Sequence, residues 1–173
     1  MPQTFHHVEA HEKSAPGTPQ EAQLARRRRM AVLALADTAT LEAEAARLSG
    51  SFSYMLLRQP EAGLVMLEGR AGNCGQRFNL GEMLITRCVV RLEPQSGAPA
   101  TEGYSFIQGN RPRHAELAAL FDALLQQESW AQSLERSLIE PLAAKREAQL
   151  KKRAEETART KVDFFTLVRG EDA

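Results

Sequence analysis

The sequence predicts an α+β protein: an antiparallel meander sheet of about four strands packed by helices, with a helical C-terminal arm and a terminal strand-like tail. Three observations predict it. Apolar residues alternate at period two through the middle of the chain, they recur at helical spacing on either side of it, and short links join the alternating stretches. The 173 residues are 43% hydrophobic and 25% charged, which suits one domain with a real core. They divide into a lead over residues 1–19, an α+β domain over 20–142, and an arm with an apolar tail over 143–173.

The lead is polar and carries Pro2, Pro16, Gly17 and Pro19. It is expected to be disordered, because it cannot bury enough surface to offset the entropy of ordering. His6, His7 and His11 stand there with nothing to fix them, so no metal site is expected. Residues 20–36 read as a helix with Leu24, Ala31 and Leu35 on one face, broadened by Met30, Val32 and Leu33. Arg26, Arg27, Arg28 and Arg29 point all round such a helix. They are expected to be exposed and free to pair across a subunit contact. Thr38 or Thr40 can cap a second helix that ends at Gly50 and turns Leu41, Ala45 and Leu48 inward.

The period then changes. Residues 52–57 form the first predicted strand, Pro60 and Gly63 mark a turn over 59–63, and residues 64–69 form the second. The glycine-rich loop over 69–77 can cradle a phosphate with bare backbone N–H groups, or simply connect a hairpin. It lacks Gly-Lys-Ser/Thr and a following helix, so it is not a P-loop. Residues 77–92 carry the best strand signal. Leu84, Thr86, Cys88, Val90 and Leu92 make a mostly apolar face; Arg87 and Arg91 fall on the other with Met83, Ile85 and Val89. Asn79 and Gly81 sit where the chain must bend into it. Cys88 reads as a core residue and Cys74 as a loop residue, in neither a disulfide framework nor a metal spacing. A fourth strand covers 103–108, after a Pro/Gly/Ser/Ala loop.

Leu117, Leu120, Phe121, Leu124 and Leu125 mark the clearest helix. His114 falls in its first turn, with Arg111 and Arg113 before it. A helix N-terminus with arginines can hold an anion and a histidine there can move a proton; a solvated histidine at a helix start is the plain alternative. Trp130, Leu134 and Leu138 mark another helix, up to Pro141. Residues 143–161 are crowded with charge around Leu150, so a helix there bridges solvent or lies against another chain. Val162, Phe164, Phe165, Leu167 and Val168 follow; left in solvent they are an aggregation hazard, so they are expected to dock on a partner. His114 is thus the catalytic candidate, and Arg77, Arg87, Arg91 and Arg113 are the phosphate-binding candidates. Lys+Arg and Asp+Glu are both 22, so no global field draws the chain to nucleic acid or a membrane. No run nears the ~18 apolar residues of a membrane span, and no signal-peptide core is visible, so a cytoplasmic protein is expected.

Several stretches together resemble the PhnG family, subunits of the bacterial carbon–phosphorus lyase core complex. They are Met30-Ala31-Val32-Leu33-Ala34, the strand from Arg77-Phe78 to Arg91-Leu92, Gly103-Tyr104, His114-Ala115-Glu116, Pro141-Leu142, and above all Val162-Asp163-Phe164-Phe165-Thr166-Leu167-Val168-Arg169-Gly170. The pattern departs from the family at Arg29, where an aromatic usually stands, and at Pro112. The resemblance implies a symmetric hetero-oligomer with PhnH-, PhnI- and PhnJ-type subunits. It implies a transferase that displaces adenine from ATP with an alkylphosphonate, giving α-D-ribose 1-methylphosphonate 5-triphosphate, with base displacement centred on the PhnI-type subunit. ATP is then a substrate of the complex, and no cofactor or metal is expected on this chain. Two alternatives stay open: a subunit that supplies phosphate-binding or catalytic groups directly, and a stand-alone anion-binding module.

Overall fold

The computed structural model describes residues 18–71, 75–94 and 100–160. Most of the lead, Cys74, and the tail residues Val162, Phe164, Phe165, Leu167 and Val168 lie outside the described residues. The described elements run α1 (Pro19–Ala34), α2 (Thr38–Arg47), β1 (Tyr54–Arg70), β2 (Arg77–Leu92), β3 (Thr101–Gln108), α3 (Pro112–Leu124), α4 (Glu128–Leu134), a π-turn (Glu135–Ile139) and α5 (Glu140–Arg159). The three strands form one antiparallel sheet in the order β1-β2-β3.

Among the described residues the sheet has three strands, not four. The turn predicted over 59–63 does not exist. Both halves belong to β1, which pairs with β2 from Tyr54↔Leu92 to Arg70↔Arg77. What reads as a turn is a pair of register shifts, between Leu56 and Arg58 and between Arg58 and Glu61. Proline has no N–H to give a ladder, and it is tolerated on an edge strand at a bulge. Pro60 meets both conditions. A third shift lies between Leu67 and Glu68, opposite Leu80. Beside it Gly81 takes φ +145°, so the bend expected near Asn79 and Gly81 is a bulge inside β2.

α3 is the centre of the molecule. Ten of its thirteen residues are buried, including Leu117, Leu120, Phe121 and Leu124. It packs on all three strands and on α1 and α2. Each fully buried side chain of that size contributes about 1.5–3 kcal/mol. Facing it, β2 supplies Thr86, Cys88, Val90 and Leu92, and β3 supplies Gly103, Ser105 and Ile107, all buried. The other sheet face carries Arg87, Arg91, Tyr104 and Phe106, all exposed. One layer of helices therefore covers one face of one sheet. β3 pairs only with residues 85–92 of β2. Beyond that point residues 64–70 and 77–84 continue as a two-stranded arm.

The helices correct several expectations. In α1, Leu24 and Leu35 are 64% and 63% exposed, whereas Val32 and Leu33 are buried. The inward stripe is Arg26, Arg29 and Leu33, spaced i, i+3 and i+7, so it starts with ion pairs and ends apolar. The helix begins on a capping box between Thr18 and Glu21, with Pro19 in its first turn. Asp37, not Thr38 or Thr40, holds the N-cap position of α2 and makes no side-chain cap. Pro112 opens α3 at its first turn, where a missing N–H costs nothing. Pro141 does not end a helix: α4, the π-turn and α5 run on without a break. The π-turn precedes the proline, and the Glu140 N–H reaches back to the Glu135 carbonyl. α5 buries none of its residues, and Leu150 is 52% exposed.

Candidate functional site

His114 is 1% exposed. Its Nε2 lies 2.8 Å from the Leu33 carbonyl oxygen in the last turn of α1, and its Nδ1 lies 3.2 Å from the Thr38 hydroxyl at the start of α2. A carbonyl only accepts, so Nε2 carries hydrogen; in the neutral ring Nδ1 accepts from Thr38. The histidine thus ties together one helix end and two helix starts. Helical spacing places it in the first turn of α3, as predicted, but on the buried side. Its neighbour Arg113 faces outward to Glu42 at 3.5 Å and Glu116 at 3.1 Å.

The other candidate arginines do not converge with it. Arg87 and Arg91 stand on the outer sheet face, opposite α3. Arg87 pairs with Glu61 at 2.6 Å, and Glu61 also takes Arg58 at 3.1 Å. Arg91 pairs with Glu102 at 2.6 Å, and the Tyr104 hydroxyl donates to the same carboxylate at 2.7 Å. These two donors hold the Glu102 carboxyl below its ordinary range. Arg77 sits at the far end of the arm, 3.5 Å from Glu68. Ten residues of strand separate it from Arg87, roughly 33 Å. Each of the four arginines faces a carboxylate, and no single cavity collects them.

Sequence reasoning missed the most connected polar group. Asp122 is 2% exposed and takes a forked pair of hydrogen bonds from Arg26, at 3.1 and 2.7 Å, plus the Tyr104 backbone N–H at 3.0 Å. The hydrogen bond from Arg26 to Asp122 raises the guanidinium pKa above its ordinary value. Arg29 likewise pairs with Glu135 at 2.7 Å. The expectation that this run serves a subunit contact is therefore corrected for Arg26 and Arg29, whose partners are in their own chain; Arg27 and Arg28 are exposed. A charged residue at i+7 from a buried leucine was the available signal.

A groove of about 350 Å³ lies between the end of α1 and α5. Val32, Leu35, Leu142 and Leu150 make its apolar part, and Lys145, Arg146 and Arg153 its cationic part. None of these three cations has an ion pair among the described residues. Cys88 is buried and donates its S–H to the Arg58 carbonyl at 3.4 Å; burial, then the Glu116 charge, pushes the thiol up to about 11. Among the described residues no helix is long and apolar enough to cross a membrane.

The buried polar side chains thus bind one another or the backbone, while apolar side chains stand open along the arm and outer sheet face. That defines a class: a small α+β protein whose buried polar groups serve its own packing and whose arm and outer sheet face expose apolar side chains, the make-up of a component that works alongside other chains. Within that class the chain belongs to the PhnG family: residues 24–170 match the family described as phosphonate metabolism protein PhnG. A relative from Rhizobium meliloti (strain 1021), "Alpha-D-ribose 1-methylphosphonate 5-triphosphate synthase subunit PhnG", is 46% identical over 116 residues, 67% of this chain and 70% of its own.

Proposed function

We propose that this chain is a non-self-sufficient subunit of an α-D-ribose 1-methylphosphonate 5-triphosphate synthase, a cytoplasmic enzyme of organic phosphonate catabolism. In this reading the complex displaces adenine from ATP with an alkylphosphonate. PhnI-, PhnH- and PhnJ-type subunits are its partners, the chain binds no cofactor, and its role is to shape and position the assembly. One observation carries the reading: the 46% identity to a relative whose name is that of a subunit of this synthase. The internal bonding of His114 supports a positioning role over a chemical one. In the same reading Val162, Phe164, Phe165, Leu167 and Val168 seat on the PhnI-type partner.

The test is co-expression with the PhnI-type partner after deletion of residues 162–173. Loss of the complex and its synthase activity is expected. A complex that forms and turns over without them overturns the role of the tail. A second reading, that the chain lends anion-binding groups to the complex, is favoured at one place: the groove cations Lys145, Arg146 and Arg153. Replacing all three by alanine in the assembled enzyme would then raise the KM for ATP about tenfold with the assembly intact. An unchanged KM ends that reading.

A further inference from the structure

The two-stranded arm is built as though it were half of an interior. Residues 64–70 and 77–84 pair with each other and leave the third strand behind. Leu64, Met66 and Leu84, like Leu67, Phe78 and Leu80, are all exposed, so the arm is open on both sides. Strand alternation puts Leu64, Met66 and Leu84 on the face that continues from the core side, where Ala62 pairs with Thr86. Val65, Leu67 and Phe78 lie on the face that continues from Arg87 and Arg91. Leu80 joins the second face, because its side chain fills the space above Gly69. Leu64 is 61% exposed, Leu80 63%, Met66 54% and Phe78 46%. An isolated two-stranded ribbon is marginal in water, and a monomer rarely shows so continuous an apolar surface.

We infer that the arm inserts into a cleft of a different subunit, gripped on both faces by aliphatic walls. Two considerations select that occupant over a second copy of this chain. A twofold pair buries the same face of both copies and leaves the other face of each arm in water. One such face offers three large apolar side chains, far short of the ~800 Å² per partner that a stable interface needs. The arm also carries two charges without an ion pair among the described residues: Glu82 beside Met66, and Arg70 at the far end. A cleft that receives it therefore presents a cation at the level of Glu82 and a carboxylate near Arg70. This inference rests on the subunit reading above and adds the surface and the manner of contact.

The test uses the full chain, alone and co-purified with its PhnI-, PhnH- and PhnJ-type subunits. Amide hydrogen exchange is followed over residues 64–70 and 77–84, and affinity is compared for Leu64→Asp and Leu80→Asp, one change per face. Both positions are exposed, so circular dichroism of the isolated variants should match the parent. The expected result is strong added protection of both arm strands in the complex and at least ~30-fold weaker assembly for each variant. A complex that forms with the arm unprotected and both variants at full affinity overturns the arm inference alone. Failure of the unaltered chain to join any of the three subunits overturns the subunit reading as well. Protection that appears in the isolated chain as concentration rises, with dimer by sedimentation, assigns the arm to a second copy and overturns the cleft. Loss of affinity from one face only also overturns a two-sided grip.

Discussion

His114 shows how a residue type can point to chemistry while its surroundings point to packing. Both ring nitrogens are engaged by different helices. Replacing it by alanine opens a cavity and leaves the Leu33 carbonyl and Thr38 hydroxyl without this partner. The expected loss is about 3 kcal/mol, read from the urea midpoint of the isolated chain. Asp122→Ala should cost about 3–5 kcal/mol by the same measurement, since Arg26 and the Tyr104 N–H lose a buried partner. Cys88 makes a pH prediction. Its thiol ionises at about 11 in the fold against 9.0 ordinarily, so above pH 9 the unfolded chain loses the proton first. Native stability falls as pH rises from 9 to 11, by on the order of 1–2 kcal/mol relative to Cys88→Ala, and is unaffected by this group below pH 9. Urea titrations of the two proteins at pH 8 and pH 11 check it. At this scale the sequence was half legible. It placed His114 in the right turn and Cys88 on the right face, but nothing local says which side of a first turn is buried.

Among the elements, β3 and α3 set the tightest tolerance. A methyl at Gly103 would overlap the Ala119 carbonyl oxygen and the Ala123 amide, both helix backbone that cannot step aside. Gly103→Ala should therefore cost ~3 kcal/mol or more, seen as a large drop in Tm, whereas Gly63→Ala, which meets open space, should stay within about 1 kcal/mol. The alternation of Thr86, Cys88, Val90 and Leu92 and the spacing of Leu117 to Leu125 were readable because each burial stripe has a single period. β1 was misread for a physical reason. Pro60 and Gly63 are turn residues by local preference, yet the long register with β2 outweighs that preference and absorbs the proline as a bulge. α1 was misread because two of the three residues in its inward stripe are arginine, which no hydrophobic pattern counts.

For the whole molecule, the closed core and α5 are separable. α5 buries no residue, so Leu150→Ala should change the stability of the isolated chain by less than ~0.5 kcal/mol, while Leu138→Ala, in the packed π-turn, should cost about 2–4 kcal/mol. Thermal unfolding of both variants decides it. The α+β class and one-sided sheet were visible in the sequence, since they follow from periodicity. The projecting arm was not, because it depends on where β3 stops pairing with β2, a tertiary fact with no local residue signature.

The π-turn over Glu135–Ile139 has a consequence for how this molecule can change. A π-turn amounts to one surplus residue inserted into an α ladder. Deleting one residue there would restore ordinary pitch and swing everything downstream through ~100° about the helix axis. Lys145, Arg146 and Arg153 would then be carried away from Val32 and Leu35. A single lost codon could thus re-aim a twenty-residue rod toward a different neighbour, while the packing between sheet and α3 stayed as it was.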